Sequence, residues 1–101
     1  MKQRKMNLCA KVPNEGARRL AWWLGEALER DAQAFDTLAH EAAIDVGMID
    51  RLLSGEMLPG WDIGLSIAEA TGGAVWPADF RMSPRGGWFD RPAPREVRRA
   101  A

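Results

Sequence analysis

The 101-residue chain has little of what most function classes require. It holds one cysteine, Cys9, and one histidine, His40. A single thiol cannot close an internal disulfide, and neither residue has the clustered His or Cys partners of a metal site. Cys9 reads as an inert tail thiol or an exposed redox-sensing one, in the reducing setting of the cytoplasm. No apolar run approaches the roughly 18 residues of a membrane-spanning helix. The start, "MKQRKMNLCAKVP", is basic and lacks the apolar stretch of a secretory signal. There is no internal repeat, no Gly-rich phosphate loop, and no Ser–His–Asp order with its supporting motifs. His40 and Cys9 make no dyad, because Cys9 falls in an expected tail. The expectation is a non-enzymatic protein with no cofactor, no metal and no membrane partner.

Net charge is also lacking, but the zero average hides a strong segregation. Residues 1–30 hold seven Lys/Arg and three acids, a net of +4. Residues 31–79 hold Arg51 alone against nine acids, a net of −8. Residues 80–101 hold six Arg and two acids, again +4. The chain is an acidic centre between two basic ends.

The pattern between those ends is helical. In "NEGARRLAWWLGEALERD", Ala17, Leu20, Ala21, Leu24, Ala27 and Leu28 recur at three- and four-residue steps, with Asn14 as N-cap. Trp22 and Trp23 point about 100° apart on a helix, so at most one sits squarely on the core face. "DAQAFDTLAHEAA" predicts a second helix burying Phe35, Leu38, Ala39 and Ala42. "VGMIDRLLSG" predicts a third, capped by Asp45, stopped by Gly55, and turning Met48, Ile49, Leu52 and Leu53 inward. "WDIGLSIAEATGG" predicts a fourth that buries Ile63, Ile67, Ala68 and Trp61 and ends at Gly72-Gly73. "AVWPADFR" reads as a short extended piece and then a single turn from Pro77. The expected architecture is all-α, four to five short helices. Residues 1–13 form a basic N-terminal arm, 14–81 the domain and 82–101 an Arg/Pro-rich C-terminal tail, in which "PAPREVRRAA" starts a further short helix at Pro94.

The stretch "LAHEAAIDVGMIDRLLSG", followed by Pro59, resembles the helix-turn-helix of the phage repressor and Cro-like superfamily, the regulators of xenobiotic-response-element type. Leu38, Ala39, Ala42, Ala43, Ile44, Ile49, Arg51, Leu52 and Gly55 match its pattern. Small Ala39 and Ala42 let two helices approach, while Ile44, Ile49 and Leu52 fill the wedge between them. Ala43 stands where glycine is common. Downstream, "IAEATGGAVWPADFR" is similar to the end of small phage Cro-type regulators and antitoxin-like proteins. The resemblance covers about residues 18–81. It implies a lambda-repressor-like domain, homodimeric, that regulates transcription by binding a short inverted repeat in double-stranded DNA.

Carried onto this chain, helix 46–53 enters the major groove and offers Asp45, Val46, Gly47, Asp50 and Arg51 to the bases. Val46 suits a thymine methyl, Asp50 a cytosine amine, and Arg51 a guanine or a phosphate. Thr37 and His40 fall where backbone contacts lie in this family. Against this, the acidic centre has the wrong sign for phosphate. Asp45 reads at least as well as an N-cap, and Arg51 as an ion-pair partner of Asp50, Asp45 or Glu56. Lys2, Arg4, Lys5 and Lys11 form an arm suited to a groove or backbone, with Arg91, Arg95, Arg98 and Arg99 at the other end. The bland alternative is a pair of solubilising tails.

A second function class stays open. An acidic face, a bare Gly47 and five tryptophans suit a protein-interaction module with weak or no specific DNA binding. Trp23, Trp76 and Trp88 are its candidate partner or dimer contacts.

Overall fold

The computed structural model describes residue 6 and residues 8–94. They form four α-helices, α1 (Glu15–Leu28), α2 (Ala34–Ala42), α3 (Val46–Ser54) and α4 (Trp61–Ala70), then a 3₁₀ turn, Pro77–Arg81. No strand occurs among the described residues.

Helix α1 starts where its cap is strongest. Asn14 is extended, and its side chain accepts the Ala17 N–H at 2.7 Å. All six apolar positions expected on its inner face are buried. Trp22 and Trp23 are both half-buried, so each shares the edge of that face.

Helix α2 begins three residues later than its apolar period suggests. The Asp31 carboxylate accepts the Gln33 N–H and the Thr37 hydroxyl, each at 2.9 Å. A short carboxylate bonding its own downstream backbone holds residues 31–33 in a turn instead of a helix. At its other end Ala43 takes the left-handed conformation, with φ 58°. The Ile44 N–H donates to the Ala39 carbonyl at 2.9 Å and the Ala43 N–H to that of His40 at 3.2 Å. This double closure ends α2 sharply and sends the chain straight into α3.

The core gathers one stripe from every element. Leu20 and Leu24 of α1, Leu38 of α2, Ile49, Leu52 and Leu53 of α3, and Ile67 of α4 are fully buried, with Val75 between α4 and the 3₁₀ turn. Each such side chain contributes about 1.5–3 kcal/mol relative to exposure. Helix α1 packs on α2, α3 and the 3₁₀ turn, while α2 also packs on α4. Phe80 packs closely on the start of α1, where a Cβ on Gly16 would come within 2.5 Å of its ring.

Two expectations need correction. Trp61 is not buried; it is 67 % exposed, because it opens α4 and its side chain has no preceding turn to lie against. The segment after Arg81 does not extend away as a tail, because residues 84–94 lie back along α1. The Arg85 N–H donates to Glu15 at 2.8 Å, Arg18 donates to the Asp90 carbonyl, and the Trp22 indole donates to the Trp88 carbonyl at 2.9 Å. The further helix expected from Pro94 falls largely on residues 95–101, outside the described residues.

Candidate nucleic-acid interface

The exposed start of α3 is organised by its cap. Asp45 is extended, and its Oδ1 accepts the Met48 N–H at 2.7 Å. That carboxylate satisfies an otherwise free amide of the first turn and sits at the positive end of the helix dipole. Asp45 is exposed, but its nearer oxygen already has a partner. Val46, next along, is half-buried and packed against the core, which leaves only part of its side chain to a ligand.

Gly47 is exposed, and its lack of a side chain has a local use. A Cβ there would stand 3.2 Å from Asp45 Oδ1 and 3.8 Å from Arg51 Nη1. The Arg51 guanidinium therefore lies back over Gly47 towards the N-terminus of α3. This concentrates the one cation of the acidic centre on the first turns of the helix.

Asp50 is half-buried, and its Oδ1 is shut off from solvent. It lines a groove of about 300 Å³ together with Arg51, Ser54, Glu56, Leu8 and Cys9. The N-terminal segment thus borders α3 directly. Gly55 closes the helix at φ 79°, a conformation natural to glycine, and packs so tightly on Pro13 that no side chain would fit.

Thr37 and His40 are both exposed and one turn apart on α2. The Thr37 hydroxyl is engaged with Asp31. Asp36 and Glu41 are exposed on the same helix, so the surface around α2 and α3 is acidic except at Arg51 and His40. Lys2, Arg4 and Lys5 lie outside the described residues, as do Arg95, Arg98 and Arg99. Arg91 is committed elsewhere: it pairs with Glu26 and stands 5.6 Å from the centre of the Trp22 ring.

The candidate partner tryptophans separate into two kinds. Trp23 and Trp88 are half-buried and packed against the core. Trp76 is 42 % exposed, and with Trp61 and Leu58 it belongs to the large apolar side chains left open to solvent.

One polar cluster goes beyond the residues that the sequence singles out. Glu15 and Arg18 are almost wholly buried, and Glu15 pairs with both Arg18 and Arg19, at 3.0 and 3.2 Å. Burial pushes the Glu15 carboxyl up, but the Arg85 N–H, the Arg18 hydrogen bond and the two guanidinium charges outweigh it and hold the carboxyl below the usual glutamate value. The only signal in the sequence is a Glu followed by Arg at three and four residues, a spacing equally common on solvated helix faces.

Among the described residues, no group of three or more His, Cys, Asp or Glu side chains is placed to hold a metal ion. No described helix is long and apolar enough to cross a membrane. Compared with protein-family models, curated proteins and solved structures, the chain matches none.

Proposed function

We propose that the chain is a helix-turn-helix DNA-binding regulator of transcription, of the phage Cro or antitoxin-like kind, in which α2 braces α3 and α3 enters the major groove. The observation that carries this reading is the joint between the two helices. A doubly closed left-handed turn at Ala43 delivers α3 with its first turn capped, exposed and crossed by the Arg51 guanidinium. A short helix held rigidly against a second, with its N-terminal turn open, is the shape that the groove admits.

The roles follow from the local chemistry. Arg51 is the residue for a guanine edge or a phosphate, since its fork reaches past Gly47 without a side chain in the way. Asp45 serves mainly the helix, through its cap. Asp50, half-buried with Oδ1 shut off from solvent, would offer a cytosine amine at most its other oxygen, and Val46 adds limited apolar contact. Thr37 and His40 face the backbone. Lys2, Arg4 and Lys5 supply the cations that the acidic face lacks. As a homodimer, two copies of α3 would meet half-sites about one DNA turn apart, roughly 34–36 Å.

Selection of bound fragments from random and genomic DNA, at low and moderate salt, tests the reading. A recovered inverted repeat that persists at moderate salt supports it; retention without sequence enrichment argues against it.

A second reading, a protein-interaction module on the same scaffold, is favoured by one observation. Trp61, Leu58 and Trp76 are 67, 51 and 42 % exposed, and exposed tryptophan is the residue type enriched at interface hot spots. The same selection separates the two readings.

A further inference from the structure

Gly25, Glu26 and Glu29 follow Trp22 at steps of three, four and seven residues, so the four share one stripe along α1. None of them is buried, whereas Leu20, Leu24, Ala27 and Leu28 supply the core face. Trp88 stands beside that stripe, and Met6 and Leu8 close the other side, which leaves a hollow of about 260 Å³. This is just under the roughly 300–1,000 Å³ of a pocket for drug-sized molecules, so its occupant is small.

The walls select a charge type. The Trp22 indole N–H donates to the Trp88 carbonyl at 2.9 Å, and the Trp88 indole N–H to the Cys9 carbonyl at 2.7 Å. With both donors spent, the rings offer the hollow carbon edges and π surface. Its ionic groups are the carboxylates of Glu26 and Glu29, and no cation among the described residues lines it. Anions are therefore disfavoured. The Trp22–Glu26 pair already receives a positive charge in this fold: the Arg91 guanidinium pairs with Glu26 and stands 5.6 Å from the centre of the Trp22 ring. A primary ammonium holds its water strongly and needs acceptors that apolar walls lack. A quaternary ammonium has no N–H donors, and its methyl groups suit indole and thioether surface.

Gly25 adds an independent observation. A glycine inside a helix is destabilising relative to alanine. The packing does not demand one here, since a Cβ would meet only the Met6 methyl, at an ordinary 3.7 Å. Its effect is to leave the floor of the hollow open.

We propose that this hollow binds a small, free quaternary ammonium compound of choline size, with its methyl groups against Trp22 and Trp88 and its charge offset by Glu26 and Glu29. The site lies on α1 and the 84–94 segment, and it does not depend on the DNA-binding reading.

The test is calorimetric titration of the full chain with choline chloride, beside its neutral isostere in which carbon replaces the ammonium nitrogen. Choline should bind, and the isostere about five- to thirtyfold more weakly, the factor that a desolvated cation–π contact supplies. Glu29→Gln, at an exposed position, should weaken choline by about two- to fivefold and leave the isostere unchanged. Gly25→Leu fills the floor and should abolish binding of both without lowering the melting temperature, since leucine favours a helix. Should that variant fold poorly, Glu29→Gln still decides the role of charge. Phosphocholine brings an anionic group to the two carboxylates and should bind more weakly than choline. No binding of choline up to about 10 mM, or equal affinity for the neutral isostere, overturns the proposal. Tighter binding of phosphocholine, or of a trimethyllysine peptide, overturns the assignment to a free small molecule. No arm uses DNA, so failure here and failure of the DNA-binding reading are seen separately.

Discussion

The Oε1 atom of Glu15 accepts the backbone N–H of Arg85 at 2.8 Å, across 70 residues of chain. The same carboxylate neutralises the buried Arg18, which in turn donates to the Asp90 carbonyl. One side chain near the start of α1 thus anchors the beginning of the 84–94 segment directly and, through Arg18, its Asp90 end. Glu15→Gln leaves Arg18 buried without its counter-charge, and removing one partner of such a pair costs about 3–5 kcal/mol. Urea unfolding at neutral pH should show that loss, and proteolysis should cut first between residues 84 and 94.

The pH dependence of stability follows from the same group. The folded Glu15 carboxyl titrates below its ordinary value, so the unfolded chain takes up its proton first as pH falls. The stabilisation is complete above the ordinary glutamate range and is lost as pH drops through the folded value. Unfolding free energies measured from neutral pH into acid should therefore decline, and Glu15→Gln should flatten that decline. An equally steep decline in the variant would remove Glu15 as its source.

Asp45→Ala removes the acceptor for the Met48 N–H and should cost about 1 kcal/mol. Asp45→Asn keeps a capping oxygen and deletes the charge, so its stability should stay within a few tenths of a kcal/mol of the parent. If Asp45 is a cap and not a reader, the Asn variant should bind DNA at least as tightly, since one repulsive charge is gone. Paired thermal melts and binding titrations of the two variants check this.

Ala43 occupies a left-handed conformation that costs a residue with a Cβ roughly 1–2 kcal/mol. Ala43→Gly relieves the strain but adds freedom to the unfolded chain, so the net gain should be about 0.5–1 kcal/mol. Thermal denaturation is sufficient to see it.

Helix caps and stops are legible in the sequence because they are local. Asn14, Asp45 and Gly55 each act within a few residues of the helix end they define, and the three- and four-residue spacing of Leu20, Leu24 and their neighbours marks the buried face of α1. The start of α2 is not legible in the same way, because Asp31 spends its carboxylate on a turn, a competition that apolar periodicity does not register. Trp61 departs from its expected burial because the first residue of a helix can follow the apolar stripe in sequence yet remain uncovered. The 84–94 segment is illegible for a different reason. Its anchors, Glu15 to Arg85, Trp22 to Trp88 and Trp88 to Cys9, join positions far apart in sequence, and Pro, Gly and Arg composition reads the same in a strap as in a tail. At the candidate interface, the residue types can be read from the sequence. The lie of Arg51 over Gly47 cannot, since it depends on a side-chain path and not on spacing.

Arg51 is where the DNA-binding reading is most exposed. Once a binding site has been selected, Arg51→Ala should weaken that complex by about 1–3 kcal/mol and relax preference at one base pair. A phosphate contact would instead weaken all sequences alike and lower the salt slope by about 1.

The most direct measurement is selection of DNA fragments by the purified protein, with sequencing of whatever remains bound as salt is raised. A helix-turn-helix regulator should yield a short inverted repeat, half-sites about one turn apart, recovered at moderate salt and lost with Arg51→Ala. Retention at low salt alone, with no enriched sequence, would contradict that function and leave α3 as part of a scaffold for a protein partner.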